Sequence, residues 1–439
     1  MNSLNIIYRS LLCSKNIVKP KVIRFIQTSS YLLQSVEEQV AQQKKRNEEV
    51  QDMPELVRDF LDPAEFFRQI KSIGIDFFCG VPDSLLKDFC AYVTKNVPKE
   101  QHIITVNEGA AVGLAAGYHL ATGKPAMVYL QNSGLGNIVN PIMSLATPGV
   151  YSMPMLLLIG WRGEPGKRDE PQHRIQGPAT PGILAAQGIP FQPLPDYHDG
   201  AEQALQTAKR YMETAHGPYA LLVKRQTFLP YKLPKISMDD QFELTREGAM
   251  QYVVNGLHQR DVVVGTTGML SRELYEYRQS RGDGHERDFL TVGSMGHASS
   301  IALGIALQKS ERQVFCMDGD GAILMHMGVL ATIAASGPKN FKHIVINNGT
   351  HDSVGGQPTV AMDHEKFSLS QIAKGCGYKE VMVATKKEEI DKCMQIIRQT
   401  TGPVLLEIKV KTGHRKNLGR PTRSTTENKK DFMHFLQLS

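Results

Sequence analysis

The sequence predicts an α/β fold with two doubly wound parallel-sheet domains and no middle domain between them. Apolar runs such as residues 126–130 and 155–159 alternate with helical stretches, a pattern typical of parallel strands that are covered on both faces. The two halves also share a feature, because a Gly-Pro pair precedes a final apolar strand at 219–224 and again at 404–409. The length of 439 residues leaves room for two or three cores at ~100–200 residues per domain.

The predicted elements follow one another as strand, helix, strand in both halves. In the first half we expect strands at 73–80, 102–106, 126–130, 155–159 and 219–224, and a helix over Glu108–Thr122 that ends at Gly123. In the second half we expect strands at 262–264, 314–317, 343–346 and 404–409, and a helical stretch over 323–335. The predicted domains are 55–229 and 243–439, joined by a linker at 230–242 and preceded by a polar linker at 37–54.

Composition and charge exclude several classes of protein. With 41% hydrophobic and 21% charged residues, the chain is neither wholly disordered nor fibrous. No stretch has the ~18 uninterrupted apolar residues of a membrane span, so we expect no membrane partner. Six scattered cysteines without a CxxC pair argue against a disulfide scaffold and a zinc site. The net charge of +6 falls to +1 without the five Lys and Arg of residues 1–36, so no nucleic-acid partner is expected.

Residues 1–36 have the composition of an organelle transit peptide. They contain five basic residues, no Asp or Glu, and many Ser, Asn, Leu and Ile. The sequence RFI at 24–26, followed by QTSS, resembles a mitochondrial processing region. We therefore expect a location in the mitochondrial matrix after removal of this segment. The alternative is a disordered tail on a cytoplasmic protein.

The segment MDGDG at 317–321 has the features of a phosphate and metal site. Gly319 and Gly321 follow an apolar strand and precede a helix, where backbone N–H groups bind phosphate. Asp320 adds a carboxylate of the kind that Mg²⁺ binds together with phosphate oxygens. Counting inclusively from Gly319, the thirtieth residue is Asn348, at the end of the next predicted strand. Because parallel strands end at one edge of a sheet, we expect Asp320 and Asn348 to lie together there.

Three other motifs are excluded by the residues present. An EF-hand loop beginning at Asp318 would need a carboxylate at its twelfth position, where the chain has Val329. A Rossmann motif beginning at Gly134 lacks its third glycine, because Val139 occupies that position. The sequence contains no GxxxxGK, which excludes a P-loop.

Glu108 is the candidate acid of the first half. It follows a predicted strand and opens the helix Glu108–Thr122, and the small residues around it would let a bulky ligand approach. The structural alternative is an acid in a first helical turn that complements the helix dipole, which is worth ~0.3–1 kcal/mol.

From about residue 55 to 435 the chain resembles the phosphonopyruvate decarboxylase family, which are thiamine-diphosphate-dependent 2-oxo-acid decarboxylases with sulfopyruvate decarboxylase as a sister. The resemblance is carried by FCGVPDSLLKDFC, NEGAAVGLAAGYHLATG, LQNSGLGNIVNP, LLLIGWRGEPG, DEPQH, GSMGHASSIALGIA, DGDGAILMHMG, INNGTHDSVGGQPT and GRPT…ENKK. It implies the thiamine-diphosphate-binding fold, with a pyrimidine-binding domain followed by a diphosphate-binding domain. The implied cofactors are thiamine diphosphate and Mg²⁺.

The resemblance also implies roles for individual residues. Glu108 would hydrogen-bond N1′ of the aminopyrimidine, and Ser84 or its neighbour Asp83 would face the substrate. The implied Mg²⁺ ligands are Asp320, Asn348 and the carbonyl of Thr350. The other implied cofactor contacts are Gly293, Ser294 and Met295 near the pyrimidine and thiazolium rings, and Thr267, Gly268, Gly319, Gly321 and Ala322 at the diphosphate.

The sequence departs from the larger decarboxylases of this type in one respect. Those enzymes have an adjacent pair of histidines in the first domain, and this sequence has none there. His297 and His351 are the remaining candidates for proton transfer, although a single histidine is more often structural. A phosphonate would also need a cationic clamp, for which the predicted loops offer Arg162, Arg168, His173, Arg174, Arg415 and Arg420.

The implied reaction is the decarboxylation of 3-phosphonopyruvate to phosphonoacetaldehyde and CO₂ through an ylide of thiamine diphosphate, a reaction of phosphonate biosynthesis. The family places the cofactor between domains of different subunits, so we expect a homodimer or a larger homo-oligomer. Two alternatives remain open. One is a decarboxylase of sulfopyruvate or another short 2-oxo acid, and the other is a non-catalytic subunit with the same fold.

Overall fold

The computed structural model describes residues 60–233 and 241–438. The predicted leader at 1–36 and the predicted linker at 37–54 lie outside these residues, as does the larger part of the predicted linker at 230–242. Residues Asp59–Ser439 form one unit that contains two parallel sheets of six strands each.

The first sheet has the strand order β2-β1-β3-β4-β6-β5, and its paired strands are parallel. A 3₁₀ turn at Asn132–Gly134 and a π-helical turn at Ile142–Ala146 flank the short helix α4 (Leu135–Pro141). The elements are α1 (Pro63–Ser72), β1 (Phe78–Gly80), α2 (Lys87–Asn96), β2 (His102–Ile104), α3 (Glu108–Thr122), β3 (Ala126–Gln131), α4 (Leu135–Pro141), β4 (Met155–Gly160), α5 (Pro171–Ala186), β5 (Phe191–Pro193), α6 (His198–Ala215) and β6 (Tyr219–Val223).

The second sheet has the strand order β8-β7-β9-β10-β14-β13, also with parallel pairs, and a two-stranded hairpin, β11-β12, follows its strand β10. The elements are α7 (Arg246–Asn255), β7 (Val262–Gly265), α8 (Met269–Ser280), β8 (Asp288–Leu290), α9 (Ala298–Gln308), β9 (Val314–Gly319), α10 (Asp320–Met325), α11 (Val329–Ser336), β10 (Phe341–Asn347), β11 (Thr350–His351), β12 (Gln357–Pro358), α12 (Leu369–Cys376), β13 (Glu380–Ala384), α13 (Lys387–Gln399), β14 (Val404–Lys409) and α14 (Thr425–Gln437).

The two sheets have the same topology. When the strands of the main sheets are counted from the start of each half, both sheets have the order 2-1-3-4-6-5. The strands that follow the two Gly-Pro pairs, β6 and β14, occupy equivalent positions, as the sequence predicts. The predicted fold class is therefore confirmed.

Two predicted elements differ from the structure for local reasons. The strand expected at 73–80 begins only at Phe78, because α1 is followed by Gly74 with φ of 89° and by an irregular segment. The helix expected at 323–335 is two helices, α10 and α11, because His326 leaves the helical conformation with φ of −134° and ψ of 45°. The break at His326 ends α10 after six residues and places Met325 at the end of this short helix.

Each sheet has a hydrophobic core on both faces because its strands are apolar at consecutive positions. In β3, Met127 and Tyr129 pack into one core with Phe78, whereas Val128 and Leu130 pack into the core on the opposite face. The second sheet is covered in the same way. Buried polar side chains also occur within strands, as at Lys342 and His343 of β10, and others follow the strands where the loops begin.

The helix α3 fixes the position of Glu108 at its first residue. The side chain of Asn107 caps the helix by accepting a hydrogen bond from the backbone N–H of Ala110 at 2.8 Å. Gly123 ends the helix with φ of 70°, as expected. Among the helices of the described residues, none is both long enough and apolar enough to cross a membrane.

A buried ion pair joins α8 to the edge strand β8. Arg278 is 1% exposed and donates two hydrogen bonds to the carboxylate of Asp288, at 2.8 and 2.9 Å. Removing one partner of such a pair leaves an uncompensated buried charge, whereas removing both does not.

We predict that Arg278→Leu lowers the free energy of unfolding by roughly 3–5 kcal/mol, as measured by urea denaturation. The matched control is Arg281→Gln, a more exposed arginine at the end of the same helix, which should change it by less than about 0.5 kcal/mol. The double variant Arg278→Leu/Asp288→Leu should recover much of the loss. A double variant as unstable as Arg278→Leu alone would contradict this account.

Candidate functional site

The carboxylate of Glu108 is buried at the carboxyl edge of the first sheet. Its side chain is 4% exposed, and Oε2 accepts a hydrogen bond from Asn137 Nδ2 at 2.7 Å. A Cβ atom built on Gly134 would lie 2.3 Å from Glu108 Oε1, so the carboxylate rests directly on this glycine. Within the described residues, Glu108 forms no ion pair with a basic side chain. It is a buried acid held by neutral neighbours.

Asp83 and Ser84 follow β1 at the same edge, and the structure separates their roles. Asp83 is fully buried, where it accepts hydrogen bonds from the backbone N–H of Leu85 at 2.7 Å and from Gln131 Nε2. Ser84 is half-buried, and its Oγ accepts a hydrogen bond from Arg162 Nη1 at 2.8 Å. Asp83 therefore holds the loop together, while Ser84 is the more accessible of the two.

Asp320 and Asn348 meet at the carboxyl edge of the second sheet, as the sequence predicts. Strands β9 and β10 are parallel neighbours, with Gly319 in register with Ile346. Asp320 is 3% exposed, and its Oδ2 accepts a hydrogen bond from Thr359 Oγ1 at 2.6 Å. The backbone N–H of Asn348 also donates to the Asp320 carboxylate.

The residues around Asp320 suit a hard divalent cation. Burial raises the pKa of Asp320 to about 6, even though the Thr359 hydroxyl donates to it. In the described parts of the chain no Lys, Arg or His pairs with this carboxylate. Asn348 and Thr350, both buried, bring further oxygen atoms to the end of the neighbouring strand. One buried carboxylate with amide and carbonyl oxygens beside it is the kind of ligand set that Mg²⁺ uses with phosphate groups.

The glycine-rich turns of this edge leave space for a bulky anionic ligand. Gly268, with φ of 107°, precedes α8 together with Thr267, and a Cβ atom on Gly268 or Gly319 would have no neighbour within 4 Å. A Cβ atom on Gly321 would lie 3.0 Å from the His351 ring and 3.4 Å from the Met295 methyl group. The predicted residues Gly321 and Met295 are therefore brought together. Gly293 and Ser294 precede Met295 in the same loop, and Ala322 follows Gly321 in α10.

The carboxyl edges of the two sheets face each other within one chain. Asn107, next to Glu108, donates from Nδ2 to the carbonyl of Met325 at 3.4 Å, and Met325 ends the helix that Asp320 begins. A Cβ atom on Gly293 would lie 3.4 Å from the Gln172 side chain of the first half. The predicted cofactor residues of the two halves thus lie on opposite sides of one interface.

The three candidate histidines, His297, His351 and His173, differ in their burial and in their neighbours. His297 is exposed, and its ring centroid lies 4.3 Å from that of His326. His351 covers Gly321, and burial lowers its pKa to about 4, so it is neutral near pH 7. His173 is 6% exposed at the start of α5, where burial lowers its pKa.

The predicted clamp residues divide into two groups. Arg415 lies apart, because it forms ion pairs with Glu247 and Glu276 of the second half. The other arginines belong to the loop between β4 and α5 or contact it. Arg162 and Arg174 donate hydrogen bonds to Asp169 of this loop, and Arg420 forms an ion pair with Glu170. Arg168 lies in the loop itself and is exposed.

Several residues of the site were missed by the sequence analysis. Thr359, which donates to Asp320, lies 39 positions away in the chain, and Asn137, which donates to Glu108, lies 29 away. Asp352 accepts hydrogen bonds from Asn348 Nδ2 at 2.7 Å and from Thr350 Oγ1 at 2.9 Å. Asp352 lies within four residues of Asn348, so its position in HDSVGG was the one available signal.

The fold and this site define a two-domain thiamine-diphosphate-binding protein. Residues 64–180 match the family model described as the N-terminal TPP (thiamine pyrophosphate, that is, thiamine diphosphate) binding domain of thiamine pyrophosphate enzymes. Residues 264–408 match the model of the C-terminal TPP binding domain of the same enzymes. These ranges fall inside the predicted domains 55–229 and 243–439.

Individual relatives show to which family of thiamine-diphosphate enzymes the chain belongs. The chain is 32% identical to phosphonopyruvate decarboxylase of Streptomyces viridochromogenes and 30% identical to that of Streptomyces hygroscopicus, in each case over 85% of this chain and 94% of the relative. It is 30% identical to sulfopyruvate decarboxylase of Methanosarcina acetivorans, over 75% of this chain and 86% of the relative. The chain belongs to the phosphonopyruvate decarboxylase family of thiamine-diphosphate-dependent carboxy-lyases.

These relatives overturn one expectation. The composition of residues 1–36 led us to expect a mitochondrial matrix protein with a transit peptide, and that assignment is wrong. The two phosphonopyruvate decarboxylases named above are from Streptomyces, which are bacteria and have no mitochondria. A basic segment without acids is a compositional signal alone, and it does not identify an organelle.

We predict that Mg²⁺ stabilises the chain through Asp320. With thiamine diphosphate present, Mg²⁺ at ~100 times its Kd should add about 2.7 kcal/mol to the free energy of unfolding, and Asp320→Asn should abolish this gain. Thermal unfolding with and without Mg²⁺ measures it. Asp363→Asn is the control, because Asp363 is an exposed acid that pairs with Lys366. An equal gain in Asp320→Asn would show that the cation binds elsewhere.

Proposed function

We propose that this chain decarboxylates 3-phosphonopyruvate to phosphonoacetaldehyde and CO₂ with thiamine diphosphate and Mg²⁺. In the net reaction the bond between the 2-oxo carbon and the carboxylate breaks, and a proton takes the place of CO₂. When bound, thiamine diphosphate supplies the centre that accepts the electron pair of this bond. The protein has to bind the cofactor, orient the substrate, exclude water and move protons.

The observation that carries the proposal is the pair of buried carboxylates, Glu108 and Asp320, on facing edges of two equivalent sheets. Each is at most 4% exposed, and each accepts hydrogen bonds from neutral donors. A degenerate, non-catalytic copy would be free to replace these costly buried acids with neutral residues. The 32% sequence identity to a phosphonopyruvate decarboxylase, which extends over 85% of this chain, supports the same conclusion.

Each predicted residue has a proposed task. Glu108 holds the hydrogen bond to the ring nitrogen of the aminopyrimidine, and Asn137 orients its carboxylate. Asp320, Asn348 and the Thr350 carbonyl bind Mg²⁺, and Thr267, Gly268, Gly319, Gly321 and Ala322 line the diphosphate. Gly293, Ser294 and Met295 face the rings of the cofactor. Ser84 faces the substrate, and Asp83 supports the loop of Ser84. His297 remains a candidate for proton transfer.

The oligomeric state is also part of the proposal. The resemblance implies sites shared between subunits of a homodimer or a larger assembly. The contacts of Asn107 and Gln172 with the second half show that one chain already brings the two kinds of edge together. Size-exclusion chromatography with light scattering gives the protein concentrations at which the oligomer dissociates into monomers. Specific activity measured over the same concentrations then distinguishes a site shared between subunits, which is lost on dissociation, from a site within one chain.

The second candidate substrate is sulfopyruvate, which the identity to a sulfopyruvate decarboxylase favours. The sulfonate and the phosphonate are both tetrahedral anions, so the same cationic side chains would bind either one. They differ in charge, because a sulfonate carries one negative charge and a phosphonate carries up to two.

The test is CO₂ release by the purified chain with thiamine diphosphate and Mg²⁺, with phosphonopyruvate, sulfopyruvate and pyruvate compared in parallel. We predict the highest kcat/KM for phosphonopyruvate, loss of activity with a chelator, and a fall of roughly 10²–10⁴-fold in kcat for Glu108→Gln, which cannot act as an acid or base. A preference for sulfopyruvate would change the substrate and keep the mechanism. No CO₂ from any acid would refute the enzymatic proposal.

We also predict that Gly134→Ala folds but loses about 10²-fold in kcat. The new methyl group would push the Glu108 carboxylate out of place, and a misplacement of about 1 Å costs around 10²-fold in rate. The matched control is Gly136→Ala, because a Cβ atom on Gly136 would have no neighbour within 4 Å. The measurements are kcat and the thermal unfolding midpoint. If the two variants have the same kcat, Glu108 does not need its observed position.

A further inference from the structure

The interface between the two halves contains a group of arginines, which we call the arginine cluster: Arg162 of the first half, and Arg272 and Arg420 of the second. Arg162 follows β4 and donates to the candidate substrate-facing residue Ser84 at 2.8 Å. Arg420 comes from the loop before α14 and forms an ion pair of 2.6 Å with Glu170, which precedes α5. This ion pair crosses from the second half to the first.

Arg272 differs from the other two because no carboxylate forms an ion pair with it in the described residues. The carboxylate of Asp169 binds Arg162 through Nε at 2.9 Å, and Glu170 binds Arg420. Across residues 60–233 and 241–438, no carboxylate lies within ion-pair distance of Arg272, and its side chain has no hydrogen-bond acceptor. Burial and the like charge of Arg420 lower the pKa of Arg272, and the charge of Glu170 opposes them without an ion pair to Arg272. Because a guanidinium remains charged in proteins, Arg272 is a half-buried cation with no ion-pair partner of its own.

The cluster lies beside the candidate cofactor residues. Arg272 is one turn into α8, and that helix directly follows Thr267 and Gly268. On the other side of the interface, Gln172 lies two residues after Glu170 and contacts Gly293. The Oε1 atom of Gln172 is buried there without a hydrogen-bond partner in the described structure. An uncompensated cation and an unsatisfied polar atom thus flank the same interface.

The chemistry of decarboxylation decides which anionic group of the substrate such a cluster can bind. The carboxylate departs as neutral CO₂, so a cation bound to it would stabilise the ground state more than the transition state. The phosphonate at the other end does not react, and its binding can hold the substrate through the whole reaction. Guanidinium groups bind tetrahedral oxyanions through two parallel hydrogen bonds, which a lysine cannot do.

We propose that Arg272, with Arg162 and Arg420 beside it, binds the phosphonate group of the substrate and is the main determinant of selectivity for an anionic 2-oxo acid. This assignment rests on the proposed function. It adds Arg272, which the sequence analysis did not name, and it removes Arg415, which is neutralised by two acids of the second half.

The first test measures binding without turnover. The chain has a single tryptophan, Trp161, adjacent to Arg162, so its fluorescence reports on this region. Phosphonoacetate is the probe, because it carries a phosphonate and a carboxylate but no keto group. With thiamine diphosphate and Mg²⁺ bound, we expect phosphonoacetate to quench Trp161, and its Kd to rise about 10–100-fold in Arg272→Gln. Acetate, which lacks the phosphonate, should bind neither chain.

The second test measures kinetics with a matched control. Arg272→Gln should raise KM for phosphonopyruvate about 10–100-fold, with a smaller change in kcat and no change in the concentration of thiamine diphosphate that half-activates the enzyme. Arg281→Gln is the control, because it lies nine residues further along at the other end of α8, about 13 Å away at 1.5 Å per residue. It should match the wild type in both tests.

Failure of this proposal and failure of the proposed function are distinguishable. If the wild type releases CO₂ from phosphonopyruvate and Arg272→Gln has the same KM and the same Kd for phosphonoacetate, the clamp is refuted and the function stands. A weaker affinity of Arg272→Gln for thiamine diphosphate would also refute the clamp, because Arg272 would then bind the cofactor. If phosphonoacetate binding depends on Arg272 but neither the wild type nor Arg272→Gln releases CO₂, the phosphonate-binding proposal stands and the decarboxylase assignment fails.

Discussion

The structure of this site depends on the burial of carboxylates without a basic partner. Taking an ion out of water costs several kcal/mol unless another charge or several hydrogen bonds compensate it. Elsewhere this chain meets that requirement with arginine, as in the Glu273–Arg246 and Asp288–Arg278 pairs. At Glu108 and Asp320 the described residues provide neutral donors instead. At these two positions the proposed Mg²⁺ and thiamine diphosphate would supply the compensation that arginine supplies to Glu273 and Asp288.

The duplicated topology brings these two acids to one interface, where the proposed cofactor would contact both. In a parallel sheet each strand ends at the same edge, so residues directly after strands collect there. Glu108 stands shortly after β2 and Asp320 directly after β9, and Asn107 contacts the end of the helix that Asp320 begins. The glycines at these turns permit the close approach. Gly134, for example, lies so near the Glu108 carboxylate that a Cβ atom would be only 2.3 Å from its Oε1.

What the sequence could predict follows from the same geometry. The interval from Gly319 to Asn348 connects the neighbouring parallel strands β9 and β10 through two short helices, so local spacing alone was enough to bring Asp320 and Asn348 together. Thr359 reaches Asp320 from beyond the β11-β12 hairpin, and Arg272 meets Arg420 only because the C-terminal segment folds back on the interface. No periodicity encodes such contacts. The resemblance gave the cofactor and the family, but residues 1–36 show that composition without a structural partner can mislead.

The charge of the interface bears on how one fold serves two kinds of substrate. Phosphonopyruvate and sulfopyruvate decarboxylases are both relatives of this chain, and the substrates in their names differ by up to one negative charge on the tetrahedral group. Three guanidinium groups would overcompensate a sulfonate if they were all free. Asp169 and Glu170 neutralise Arg162 and Arg420 in the structure, and both arginines keep donors that could turn to an anion. Selectivity between phosphonopyruvate and sulfopyruvate would then depend on how strongly Asp169 and Glu170 bind Arg162 and Arg420. The loop between β4 and α5, which carries both carboxylates, is therefore as important for selectivity as the arginines themselves.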